Sequence, residues 1–274
     1  MTGAQVVDLH AVREGKARAA KLQASVAKSE DLADLHPAHA LYVYVQSQVS
    51  VLAEQLTALP ETAKLADRVA AARHEYMPGE PPMNPLTTSH FTCWAFFDAA
   101  VGPRHETLGT CVIAVGEALG MDPRFLAHAH AMQDSCMRVY VHDEASAPGT
   151  ASLRDLVSGA RVSCIVPGGW RGSRGELWLA RVLPPPAASV GGSVVFTTPY
   201  VLRGAGEQDW LAYFDRTLGT ARGDAKKSIA VLKYGIDWNE YIFEGHAGHV
   251  SEAIFLEGLP DVPASLPHHR PRRS

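Results

Sequence analysis

Leu153-Arg-Asp-Leu-Val157, Arg161-Val-Ser-Cys-Ile-Val166 and Leu177-Trp-Leu-Ala-Arg-Val-Leu183 decide the fold. Each is a short apolar run rich in branched or aromatic residues, too short for a helix of ordinary length. Ser158-Gly159 supplies a turn between the first two, and the glycine-rich segment Gly168-Gly-Trp-Arg-Gly-Ser-Arg-Gly175 separates the second from the third. Upstream, Arg138-Val-Tyr-Val-His142 alternates polar and apolar residues, as a half-buried strand does. Downstream, Ser193-Val-Val-Phe-Thr-Thr198 reads as another strand. Four or five strands with no helix between them predict a small antiparallel, barrel-like β module at about 137–202.

Helical signals flank this module. From Leu41 the apolar residues Leu41, Val45, Val49, Leu52, Leu56 and Leu59 step by three or four, a stripe down one helix face. Pro37 suits its first turn and Pro60 ends it. Weaker stripes, Ala19-Leu22-Val26-Ala33 and Leu65-Val69-Ala72, predict a helical hairpin or three-helix unit over 1–77. Tyr76-Met-Pro-Gly-Glu-Pro-Pro-Met-Asn-Pro85 cannot be helical, so 78–86 is expected to be a linker. Helices are expected at about 105–119, with Gly120 as the cap, and at 122–134, 207–218 and 224–245. The division becomes a helical unit at 1–77, a mixed domain at 87–259 and a flexible tail at 260–274. The fold class is α+β.

The 46% hydrophobic content of the 274 residues is enough for a core, which excludes disorder over most of the chain. Twenty-five basic against 29 acidic residues give a net charge of −4, which excludes a histone-like electrostatic binder. The N-terminus has no signal-peptide pattern and no apolar run approaches the ~20 residues of a membrane span, so a cytoplasmic protein without membrane contact is expected. Cys93, Cys111, Cys136 and Cys164 are scattered among apolar neighbours, which predicts buried, inert thiols.

The quoted runs have a counterpart elsewhere. Leu153-Arg-Asp-Leu-Val-Ser-Gly159, Gly175-Glu-Leu-Trp-Leu-Ala-Arg-Val-Leu-Pro-Pro-Pro186 and Val195-Phe-Thr-Thr-Pro-Tyr-Val-Leu202 resemble a β module of uncharacterised bacterial proteins. That resemblance covers about 150–205 and implies a bacterial source and the β fold. It carries no catalytic residue.

No phosphate-cradling glycine motif occurs, and Ser173 lacks both the pentapeptide and the strand-to-helix turn of a nucleophile elbow. His128 and His130 lie two apart on a predicted helix and point about 200° from each other, so they cannot share an ion. His36 with His39 and His246 with His249 have i, i+3 spacing without the context that would make them a metal site. His90 with Cys93, or His105-Glu106 with Cys111, reads as packing rather than a thiol dyad. Trp210, Tyr213 and Phe214, and Trp238, Tyr241 and Phe243, read as helix packing faces. No catalytic residue, metal ligand or cofactor is assigned.

The loop holding Trp170, Arg171 and Arg174 stands out. With Arg161 and Arg181 it gathers four arginines and one acid, Glu176, in an acidic chain. An exposed Trp–Arg loop suits a partner's carboxylates, phosphates or bases. The bland alternative has Trp170 folding back as a cap while the arginines only solvate the loop. The sequence therefore favours a non-enzymatic binding or adaptor protein, with Trp170, Arg171 and Arg174 contacting a protein partner or a nucleic acid. The competing class is a histidine-based hydrolase, with or without a metal.

Overall fold

The computed structural model describes residues 32–56, 91–99, 106–144, 147–167, 169–186, 191–218, 253–257 and 259, with scattered positions at 10–24 and 67–71. The expected helices near 12–35, 61–75 and 224–245, the proline-rich stretch and the C-terminal tail lie wholly or largely outside the described residues. Two compact units are drawn from Met1–Glu75 with His90–Asp134, and from Tyr76–Ser89 with Ser135–Ser274.

The described part of the first unit is helical. Helix α1 spans Pro37–Leu56 and buries Ala38, Tyr42, Val45, Val49 and Ala53, spaced by four, three, four and four. The expected stripe is turned slightly. Val45 and Val49 lie at its centre, while Leu41, Leu52 and Leu56 flank it half-buried. A π-helical turn at Trp94–Asp98 precedes α2, Leu108–Ala118, and α3, Pro123–Asp134.

Thr107 caps α2 by accepting the Thr110 N–H at 3.1 Å, and Thr110 returns a hydroxyl acceptor to the Thr107 N–H at 2.8 Å. Gly120 ends the helix at φ +67°, with Gly120 N–H on the Glu117 carbonyl and Met121 N–H on the Gly116 carbonyl. This is the left-handed glycine cap that the sequence predicts. Gln133 joins the three pieces, accepting the Thr107 hydroxyl at 2.7 Å and donating to the Phe97 carbonyl at 2.9 Å.

The second unit holds β1 Met137–Glu144, β2 Thr150–Asp155, β3 Arg161–Ile165, β4 Leu177–Leu183, β5 Ser193–Val195, β6 Tyr200–Arg203, helix α4 Glu207–Leu218 and β7 Ile254–Glu257. The protein is α+β. β1 pairs with β2 and with β4, β2 with β3, β3 with β5, and β5 with β4, so the pairings return to their start. β6 lies beside the first half of β4, and β7 beside β6.

The expectation of a purely antiparallel module is corrected: β3–β5 and β6–β7 are parallel, which makes the sheet mixed. The expected strand at 193–198 is also shorter, ending at Val195, and a separate strand begins after Pro199.

Register places Tyr140 opposite Trp178 and Asp155, His142 opposite Leu153, and Ala151 opposite Cys164. Tyr140, Ala151, Leu153, Cys164, Trp178, Ala180, Val195 and Val201 belong to one buried cluster.

The Asp155-to-Gly159 segment is held by hydrogen bonds that its own residue types supply. Asp155 Oδ1 accepts the N–H groups of Val157 and Ser158 at 3.0 and 2.7 Å, while Oδ2 pairs with Arg138 at 3.1 Å. Gly159, at φ +73°, returns the chain into β3. At the start of α4, Arg154 holds Glu207 in a two-pronged pair at 3.0 and 3.1 Å, and Trp210, Tyr213 and Phe214 are buried.

Candidate functional site

The loop between β3 and β4 is anchored at its base by the end of β1. His142 donates its N–H to the Glu176 carbonyl, and Gly175 donates to the His142 carbonyl, both at 2.8 Å. Above this base Glu176 organises the loop. Its Oε2 accepts the indole N–H of Trp178 at 2.8 Å, that of Trp170 at 3.1 Å and the backbone N–H of Ser173 at 3.3 Å.

Gly172 makes that convergence possible. It sits at φ +64°, and a Cβ there would lie 2.5 Å from the Trp178 ring, 2.9 Å from Glu176 Oε2 and 3.0 Å from the His142 ring.

Trp170 is half-buried, with its ring edge-on to Phe255 at 5.5 Å. Its burial falls between the exposed tryptophan and the folded-back cap that the sequence left as alternatives. One carboxylate that accepts from three N–H donors holds this glycine-rich segment in place.

Arg171, Ser173 and Arg174 are exposed. An open cleft of about 340 Å³ is lined by Gly169, Trp170, Arg171, Gly172 and Ser173. Among the described residues, no carboxylate forms an ion pair with Arg171 or Arg174.

The other two arginines of the expected group go elsewhere. Arg161 pairs with Asp143 at 3.2 Å, and Arg181 is buried with its guanidinium on the Ser135 hydroxyl and carbonyl at 2.9 and 3.2 Å. A residue that sequence reasoning missed joins the loop from β6. The exposed Arg203 lies 3.7 Å over the centre of the Phe255 ring, the same ring that Trp170 meets. Parallel pairing of β6 with β7 brings Arg203 and Phe255 together.

Beneath the loop, His142 is 1% exposed, with its ring 4.8 Å from that of Trp178. Among the described residues, its ring nitrogens meet no well-formed hydrogen-bond partner. Burial lowers its pKa. The Glu176 carboxylate, the backbone of Arg171 and His142, and Asp143 pull the other way.

His39 on α1 is lowered too, by burial and by His36. Both groups take up protons less readily when folded than when unfolded. Stability is thus fully present above the unfolded value near 6.5 and falls as the pH drops below it. Urea midpoints are expected to decline between about pH 7 and pH 5, and His142→Phe should flatten that decline in the second unit. A midpoint that rises on acidification would contradict the burial argument.

The remaining histidines separate. His128 Nδ1 meets the Arg124 carbonyl and its ring packs on Tyr42, whereas His130 Nε2 reaches Glu117 at 3.0 Å. Such divergence is what two-residue spacing on a helix requires. His36 Nδ1 accepts the Ala38 N–H at 3.2 Å, at the start of α1. His90, His105, His246 and His249, and the aromatics Trp238, Tyr241 and Phe243, lie outside the described residues. Among the described residues, no three His, Cys, Asp or Glu side chains could hold a metal ion.

The four thiols are unpaired with one another. Cys93, Cys136 and Cys164 are buried and Cys111 is half-buried. Burial pushes the Cys164 thiol up to about 12. Burial and Glu106 raise Cys111, with a Thr110 hydrogen bond opposing them. Among the described residues, no helix is long and apolar enough to cross a membrane. No protein-family model, curated protein or solved structure matches the chain.

Proposed function

We propose that the chain is a non-enzymatic, cytoplasmic binding or adaptor protein of a bacterium. Its β3–β4 loop contacts a protein or nucleic-acid partner through Arg171 and Arg174, with Trp170 flanking them. On this reading the closed circuit of strands is a small barrel with the loop at one end, and the helical unit serves assembly.

One observation carries it. Two exposed guanidiniums that pair with no carboxylate among the described residues stand on a loop that Glu176 already holds in place. A loop ordered before binding loses little entropy when a partner arrives, so its cations give affinity at low cost. Arg154 and Arg161, by contrast, are satisfied within the fold.

The Arg171→Ala/Arg174→Ala double variant tests this. Both side chains are exposed, so stability should change by no more than about 0.5 kcal/mol. Species that co-purify with the tagged native protein should be lost. A variant that retains all of them would remove the loop from consideration.

A histidine-based hydrolase is the second reading. The observation on its side is His142, buried beside Glu176 without a well-formed hydrogen-bond partner among the described residues. Stoichiometric zinc, manganese or iron in the pure protein would install it in place of the first.

A further inference from the structure

We infer that the β3–β4 loop, together with Arg203 and Phe255, binds single-stranded nucleic acid, with a base in the cleft beside Trp170 and flanking phosphates on Arg171, Arg174 and Arg203. The inference rests on the reading of the loop as a contact surface and narrows it to one partner chemistry.

The residues alternate cation and ring. Arg203 lies over Phe255 at 3.7 Å, Phe255 meets Trp170 at 5.5 Å, and Trp170 is followed by Arg171 and Arg174. Arg171, Arg174 and Arg203 are all exposed. Guanidiniums interleaved with aromatic rings are what a single strand uses: phosphates need the charges, and unpaired bases need flat faces.

The indole N–H of Trp170 is already given to Glu176, so the ring offers a ligand its surface and not a donor. Stacking on such a surface tolerates any base. The cleft of about 340 Å³ at Gly169–Ser173 is open to solvent and bordered by this ring and by Arg171. An acidic protein surface would use the guanidiniums, whereas a single strand uses the guanidiniums for its phosphates and the open cleft beside Trp170 for a base. Glu176, the acid closest to these groups in sequence, has one oxygen turned onto three N–H groups, so its charge is held toward the loop's interior. A duplex hides its base faces and cannot fill the cleft.

The full-length protein is titrated at low and moderate salt with a fluorescent single-stranded oligonucleotide, its duplex, and polyglutamate as competitor. The single strand is expected to bind at least about tenfold more tightly than the duplex, with a log–log salt slope near −2 for three phosphate contacts at about −0.7 each. Arg203→Gln, an exposed change, should weaken binding several-fold and reduce the slope by about 0.7. The Arg171→Ala/Arg174→Ala variant should reduce the slope by about twice that.

Four results would overturn the inference. If polyglutamate binds through Arg171 and Arg174 while oligonucleotides do not, the loop remains a contact surface for an acidic protein and only the nucleic-acid assignment falls. If neither ligand binds, the nucleic-acid assignment falls, and the contact-surface reading falls with it if the Arg171→Ala/Arg174→Ala variant also keeps every co-purifying species. If oligonucleotides bind with equal strength to all variants, the site lies elsewhere. A duplex that binds as well as the single strand would equally overturn the inference, because no base then enters the cleft.

Discussion

Trp178→Ala is expected to destabilise the second unit by about 3–5 kcal/mol, the range for deleting a large aromatic side chain from a packed core. The indole has 0% exposure, stands opposite Tyr140 across the β1–β4 ladder and packs on the His142 ring at 4.8 Å. Its N–H is also the shortest of the three bonds to Glu176. Alanine would leave a cavity under the loop and strip the carboxylate of one donor. Domains unfold with only about 5–15 kcal/mol in hand, so such a loss approaches the whole margin. Urea unfolding followed by far-ultraviolet circular dichroism would measure it. Trp178→Phe keeps most of the volume and loses the N–H bond, and should cost about 1–2 kcal/mol. Equal midpoints for the native protein and Trp178→Ala would show that the ring is not part of the core.

Gly172→Ala should be the most damaging single methyl group in the loop. The backbone there sits at φ +64°, where an L-residue costs about 1–2 kcal/mol. The added Cβ would also press on the Trp178 ring at 2.5 Å, and that ring is fixed on every side. Gly169→Ala provides the control. Its φ is +78°, but a Cβ at that position meets nothing within 4 Å, so it should lose only the backbone contribution. The difference between the two midpoints isolates the close approach. If Gly172→Ala is no worse than Gly169→Ala, the loop does not rest on Trp178.

These two variants probe the region where sequence and structure part company. The strand at Arg138–His142 and the Asp155-to-Gly159 turn were legible because strand propensity and turn chemistry are local properties. Val139 to His142 are all buried, however, so β1 is covered on both faces and not half-buried as its alternation suggests. The helices at Leu108–Ala118, Pro123–Asp134 and Glu207–Leu218 were legible for the same reason, through apolar spacing, proline and the Gly120 cap. Parallel pairing was not. Nothing in Ser193–Val195 says that β3 will be its neighbour, and β7 follows β6 only after a long intervening stretch.

The loop was half legible. Its glycines, tryptophan and arginines mark it in the sequence, and Glu176 was visible as the acid among them. That Glu176 would accept two indoles, one from each side along the chain, depends on Gly172 lying flat against Trp178, which only three dimensions disclose. The Arg203–Phe255 contact had no sequence signal, because its partners are distant in the chain. His142 and Asp143, neighbours in sequence, alternate along β1. His142 lies within the core beside Trp178, while Asp143 pairs with Arg154 and Arg161.

The circuit of pairings has a consequence for how the chain reaches its native state. β1 is made first but completes its second ladder only when β4 arrives, after β2, β3 and the glycine-rich loop have been laid down. Until then Met137, Val139 and Val141, all buried in the finished protein, sit on a strand with one open edge. During that interval the segment can pair with any other extended chain, including a second nascent copy of itself. The two hydrogen bonds between His142 and Gly175-Glu176, at the mouth of the loop, are the latch that ends this exposure. The contact at the base of the arginine loop would then also be the one that closes the open edge of β1.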